Sequence, residues 1–185
     1  ALIKTIRKNR NLPIILMTSF NPVFVYGENQ FIEDVVSAGV DGVIIPDLPP
    51  EEAIEFSVKA EKQGLDMIHL LAPTSTDERV QIVAKCARGF IYYISLTGTT
   101  GVRTELSADL FDKVSSIKQA ANIPVLVGFG ISTPETARDA ARVSDGVIVG
   151  SAIVNLIEKN SDPSQRSKSL SEFVGSIKQA INEIN

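Results

Sequence analysis

Six short apolar runs set the plan of this chain: "LPIILM" (12–17), "GVIIP" (42–46), "MIHLLA" (67–72), "FIYYISL" (90–96), "IPVLVGF" (123–129) and "GVIVG" (146–150). Each is continuous rather than alternating, which is how strands read when both faces are covered, as in a parallel sheet. Between them lie helical patterns with start and stop signals. "NQFIEDVVSAG" (29–39) puts Phe31, Val35 and Val36 on one face and closes on Gly39. "PEEAIEFSVKAEKQG" (50–64) opens on Pro50 and two glutamates and ends at Gly64. "STDERVQIVAKCA" (75–87) offers Ser75 or Thr76 as N-cap, and "SADLFDKVSSIKQAA" (107–121) and "TPETARDAAR" (133–142) follow the same grammar. A last helix spans 169–184, after a polar segment "KNSDPSQRSKS". The β-α rhythm of roughly 20–35 residues per unit predicts an α/β fold with parallel strands and right-handed crossovers.

Two architectures fit that rhythm: an open doubly wound sheet, and a (β/α)8 barrel with six of its eight units present. The dinucleotide fingerprint G-x-G-x-x-G is absent from the first strand, and "GFGIST" comes late without a third glycine. A barrel often places phosphate at the loops after its last two strands and at a short helix N-terminus. Here the fifth and sixth runs end in "GFGIS" and "VGSAIV". A barrel takes roughly 250 residues, so 185 residues leave about two units unaccounted for. The opening "ALIKTIRKNRN" fits a missing front, because it reads as the body of a helix without a cap. The expected domain is therefore a single partial (β/α) barrel over 1–185.

Phosphate is held by clustered N–H donors and the positive end of a helix dipole, and glycine lets backbone approach the oxygens. Gly130, Gly150 and Ser151 are the candidates for that cradle. Gly101, in the small-residue loop "LTGTTGVR" (96–103), joins them as part of a lid. Thr99 and Thr100 read as lid hydroxyls rather than nucleophiles. Tyr92 and Tyr93 are strand neighbours and point to opposite faces. Asp47, at the end of the second run, reads as a cap for the helix that follows it, with acid or base as the alternative role. His69, inside an apolar strand, reads as a structural histidine, and Cys86 as a buried small hydrophobe.

Composition narrows the partners. Net charge is −4 with no basic stripe, which argues against nucleic acid. No apolar run approaches the ~20 residues of a membrane helix, and the opening residues carry no signal-peptide pattern. One cysteine and one histidine exclude a disulfide framework and any metal site built from several of either, and fit a reducing compartment. A carboxylate site for Mg²⁺ stays open.

Taken in order, "PDLPPEE", "LLAPTST", "FIYYISLTGTTG", "VLVGFGIS" and "VGSAIV" closely resemble the α subunit of tryptophan synthase. The resemblance implies a (β/α)8 barrel that cleaves indole-3-glycerol phosphate to indole and glyceraldehyde 3-phosphate. It implies no cofactor of its own, a β-subunit partner in an α2β2 assembly, and a cytoplasmic location, or a plastid for a plant chain. By position it implies that Gly101, Gly130, Gly150 and Ser151 bind phosphate and that Phe129 lies near the substrate. Tyr92 matches the active-site tyrosine before the lid and Thr100 the lid threonine. Thr99 departs from the family pattern, which has valine there. The family's acid/base glutamate and indole-facing aspartate lie on the second strand and the loop after it. "LPIILM" is already the counterpart of the third strand, so both would precede Ala1, and no catalytic residue is assigned within the chain. Two functions are consistent with this: the lyase itself, with this stretch alone inactive, or a non-catalytic phosphate-binding module that activates a β subunit. A sugar-phosphate isomerase is a third option, disfavoured by the absence of Lys or His at strand ends.

Overall fold

The structure is a computed structural model describing residues 1–95, 103–128 and 130–184, with the backbone alone for 103–109. The described residues gather in two compact units, one of residues 1–70 and 75–91, the other of residues 71–74 and those from Tyr92 onward.

The first unit runs α1 (Leu2–Arg7), β1 (Ile15–Met17), α2 (Phe20–Tyr26), α3 (Glu28–Ala38), β2 (Gly42–Ile44), α4 (Ile54–Lys62), β3 (Asp66–Leu71) and α5 (Asp77–Cys86). Its strands are parallel neighbours in chain order, with Ile15 opposite Gly42 and Gly42 opposite Asp66. Val23, Ile32, Val43, Phe56 and Met67 form the buried core, and Phe31, Val35 and Val36 of α3 pack against it, the face read from the sequence. Burying each large apolar side chain contributes roughly 1.5–3 kcal/mol. Gly39 stops α3 in the left-handed region, at φ 94°.

The second unit holds β4 (Ile91–Ile94) from Tyr92 onward, α6 (Arg103–Ala120), β5 (Val125–Gly128), α7 (Pro134–Ala141), β6 (Gly146–Ile148), α8 (Ser151–Lys159) and α9 (Pro163–Asn182). β5 and β6 are parallel, with Leu126 opposite Gly146 and Gly128 opposite Ile148. Just past β4, the Ser95 amide donates to the Gly128 carbonyl at 2.9 Å. α7 opens on a reciprocal capping box between Thr133 and Thr136 with Pro134 at its first position.

One device is built twice. Asp41, just before β2, accepts the Ile14 amide at 2.6 Å and pairs with Arg7 of α1, while its own amide donates to the Ile14 carbonyl at 2.9 Å. Asp145, just before β6, accepts the Val125 amide at 2.8 Å and Lys118 of α6 at 2.7 Å, and its amide donates to the Val125 carbonyl at 2.9 Å. Both aspartates stand in the tetrapeptide Asp-Gly-Val-Ile. Each ties the start of its strand to the preceding strand and to the helix that leads into that preceding strand. At Gly42 a Cβ would come within 2.9 Å of the Asp66 carbonyl oxygen, which cannot give way, whereas at Gly146 it would meet the end of the Leu126 side chain at 2.9 Å.

Four expectations are corrected. α4 begins at Ile54, not Pro50, because the Glu52 and Ala53 amides both bond to the Pro49 carbonyl and close a turn first. α9 begins at Pro163 rather than 169, since Asp162 accepts the Gln165 amide and caps it inside the segment read as polar linker. α6 begins at Arg103, four residues before the predicted start. Asp47 does not cap the helix after it; its carboxylate accepts the Phe20 amide at 2.8 Å and serves the N-terminus of α2, a helix the apolar pattern had not revealed.

Candidate functional site

The candidate site is built at the C-terminal ends of β4, β5 and β6. Along β4, Ile91 and Tyr93 are buried while Tyr92 and Ile94 are half-buried. Tyr93 is only 2% exposed, so the two tyrosines do face opposite ways. A Cβ added to Gly128 would lie 2.6 Å from Tyr92 Cε2, 2.8 Å from its Oη and 3.0 Å from Ile148 Cβ. Tyr92, Gly128 and Ile148 therefore share one face of the second unit, and the phenol lies across the bare backbone of Gly128. Burial raises the Tyr92 pKa above its ordinary value, so the hydroxyl stays protonated at neutral pH.

Gly128 and Ile148 are opposite partners at the last rung of the β5–β6 ladder. Gly130 and Gly150 each stand two residues beyond that rung. Gly130 has φ 74°, a conformation that an L side chain resists, and it is exposed. Gly150 is the N-cap of α8, no side chain caps that helix, and a Cβ at Gly150 would meet nothing within 4 Å. The Ile153 and Val154 amides bond back to the Gly150 carbonyl at 2.9 and 3.2 Å. The Ser151 and Ala152 amides thus have no acceptor inside the helix, and the exposed Ser151 opens the first turn. An open helix N-terminus with a hydroxyl beside it can receive an anion.

The structure thus brings Tyr92 together with Gly128 and sets Gly130 and the Gly150–Ser151 pair at matching positions past paired strands. Thr100, Gly101 and Phe129 lie outside the described residues. Gly128 is the residue that sequence reasoning missed. The signal was present, as a glycine closing an apolar strand, but its meaning depends on a contact between strands.

His69 and Cys86 take no part in this site. His69 is buried on β3 at 2% exposure, and burial lowers its pKa to about 4. Its Nε2 lies 3.5 Å from the Cys86 sulfur on α5. Cys86 is half-buried rather than fully buried, because it ends the helix.

The family model of the tryptophan synthase alpha chain matches residues 1–182. The chain belongs to the tryptophan synthase alpha chain family. It is 47% identical over 183 residues to the tryptophan synthase alpha chain of Geotalea uraniireducens, covering 99% of this chain and 68% of the relative. It is 45% identical over 180 residues to that of Geobacter sulfurreducens, covering 97% and 68%. Among solved structures, the tryptophan synthase alpha chain of Legionella pneumophila superposes with TM-score 0.88 at 37% identity, over all of this chain and 68% of the other. A chain from the tryptophan synthase a2b2 complex of Pyrococcus furiosus superposes at 0.86 with 33% identity, over 96% and 71%. The fold is that of the (β/α)8 barrel family, with six β-α units in this chain, so the doubly wound alternative falls away. The family is a lyase family, whose α subunit cleaves indole-3-glycerol phosphate.

Proposed function

We propose that residues 1–185 form the phosphate-holding part of a tryptophan synthase alpha chain acting on indole-3-glycerol phosphate. The observation that carries this reading is the uncapped N-terminus of α8 at Gly150–Ser151, which follows β6 just as Gly130 follows β5, two residues past the paired Gly128 and Ile148. In this reading the Ser151 and Ala152 amides, the Ser151 hydroxyl and the backbone around Gly130 receive the phosphate, with Gly101 completing the cradle. Tyr92 and Phe129 flank the indole and glycerol portion, and Thr100 belongs to the closing loop. We assign no acid or base within the chain: Asp47, the one carboxylate considered for that role, is engaged by the α2 amide. The chemistry needs placed carboxyl groups to move protons at the indole ring and the glycerol hydroxyl. The 185-residue stretch by itself is therefore expected to bind glycerol 3-phosphate and release no indole.

We further propose a β subunit as partner, in an α2β2 assembly. Phe24, Val25 and Tyr26 of α2 are 64%, 77% and 57% exposed and form a contiguous apolar end of that helix, which supports a protein-docking role. We read 1–185 as one partial barrel domain working in the cytoplasm; no described helix is long and apolar enough to cross a membrane.

The test is calorimetric titration with glycerol 3-phosphate, alongside indole release from indole-3-glycerol phosphate. Saturable binding that disappears in Ser151→Glu supports the assignment. Binding that survives Ser151→Glu places the anion elsewhere and sinks it.

A further inference from the structure

The chain contains one histidine and one cysteine, and the fold puts them in contact: His69 Nε2 and Cys86 Sγ are 3.5 Å apart, from residues 17 apart in sequence. Neither has a part in the phosphate reading, and a role for the pair stands or falls independently of it. We propose that this pair is a two-coordinate site for a soft monovalent metal ion, Cu(I), with the Cys86 thiolate and the His69 imidazole as its ligands.

Charge and donor type select that ion. Thiolate sulfur and imidazole nitrogen are the donors that soft cuprous ion prefers. His69 is neutral at physiological pH because burial holds its pKa near 4. With its proton on Nδ1, the Nε2 lone pair faces the sulfur. On binding, the ion replaces the thiol proton, which leaves to solvent, and no electron is transferred. Thiolate, neutral imidazole and a monovalent cation sum to zero charge, the least costly state for a site whose histidine is 2% exposed. A divalent ion would leave a net positive charge there. It would also lack ligands, since no group of three or more His, Cys, Asp and Glu side chains gathers among the described residues. Free thiols bind metal only as thiolates, and burial raises the Cys86 pKa. The ion must therefore compete with a proton, and affinity should rise with pH.

Geometry allows the ligation. Bonds of the lengths known for zinc, about 2.3 Å to sulfur and 2.0 Å to nitrogen, would span about 4.3 Å when linear. The pair must open by roughly 0.8 Å from its 3.5 Å contact. Cys86 is the last residue of α5, and its sulfur also makes a long 3.9 Å contact to the Val83 carbonyl, so a side-chain rotation supplies the movement. Its half-exposed position also gives the ion a way in. Two charged groups act on the pair from outside. The Glu51 carboxylate, itself bound to Arg79, favours a cation but opposes the thiolate, while Arg88 favours the thiolate.

The test is anaerobic titration of the protein with Cu(I) against the chromogenic chelator bathocuproine disulfonate. One equivalent of Cu(I) should be withdrawn from the chelator, with affinity increasing as pH rises. Cys86→Ser should abolish withdrawal, and His69→Gln should weaken it at least tenfold. X-ray absorption on the unmutated protein should count one sulfur and one nitrogen neighbour, which keeps the test independent of how the variants fold. Failure to compete with the chelator, sulfur-only coordination, or undiminished affinity in folded His69→Gln would each overturn the proposal.

Discussion

Replacing Gly128 with alanine tests the site most directly. The added methyl would lie 2.6 Å from Tyr92 Cε2, 2.8 Å from Tyr92 Oη and 3.0 Å from Ile148 Cβ. Ordinary carbon contacts are about 3.5–4.0 Å, so the phenol must retreat by about 1 Å. The Ile148 contact is backbone-anchored and yields less, and the Ser95–Gly128 bond holds β5 against moving away. Overpacking of this kind costs about 1–3 kcal/mol. A double-mutant cycle by urea unfolding separates this steric cost from any general weakening of β5. Gly128→Ala alone should cost about 1–3 kcal/mol. In a Tyr92→Ala background, which removes both nearest atoms, the same change should cost less than about 1 kcal/mol, since only Ile148 remains to crowd. Displacing a positioned side chain by 1 Å can cost on the order of 10²-fold in rate, so a complex containing Gly128→Ala should lose lyase activity out of proportion to stability. Equal costs of Gly128→Ala in the two backgrounds would refute the reasoning, because the glycine would then owe nothing to Tyr92.

Other contacts carry expected outcomes of their own. Ser151→Glu should separate binding from folding: a carboxylate at the first turn of α8 stabilises by about 0.3–1 kcal/mol while repelling phosphate, so thermal stability holds or rises as glycerol 3-phosphate affinity falls at least tenfold. Burial opposes ionisation of Asp145, but Lys118 and the Val125 amide outweigh it and hold its pKa below the ordinary value. Its stabilisation is thus present above about pH 4, the unfolded value, and lost as pH falls through the lower folded pKa. Asp145→Asn should cost about 1–2 kcal/mol at pH 7, mostly for the weaker acceptor left to the Val125 amide rather than the half-exposed ion pair, and denaturation below pH 3 should show that difference shrinking. His69 acts in the same direction over a higher window: its folded pKa of about 4 lies under the unfolded ~6.5, so acid favours the unfolded chain and stability should decline from about pH 6.5 to pH 4. An imidazole NMR resonance that titrates near pH 6.5 in the folded protein would contradict this.

The strand positions were legible because each strand lies in an unbroken apolar run set between polar turns and helices, a pattern local to the chain. So was α7, whose Thr-Pro start lies within four residues of sequence. Gly39 announced the end of α3 by the same local logic. Two of the misses depend on partners far along the chain. Asp47 finds its amide 27 residues earlier, at Phe20, where nothing in "PDLPPEE" points. Gly128 matters because of Tyr92, 36 positions before it. The start of α9 was hidden differently, since Asp162-Pro163 is a cap set in polar sequence with no apolar stripe to frame it.

The twinned Asp41 and Asp145 fastenings bear on how such a fold is put together. Each is closed by groups from one helix and the two strands that come after it, and needs nothing from elsewhere in the chain. Registry at these two junctions is thereby decided locally, as in a zip whose teeth are cut into the segment itself. A barrel assembled from such segments can gain, lose or exchange one through recombination while its neighbours keep their alignment.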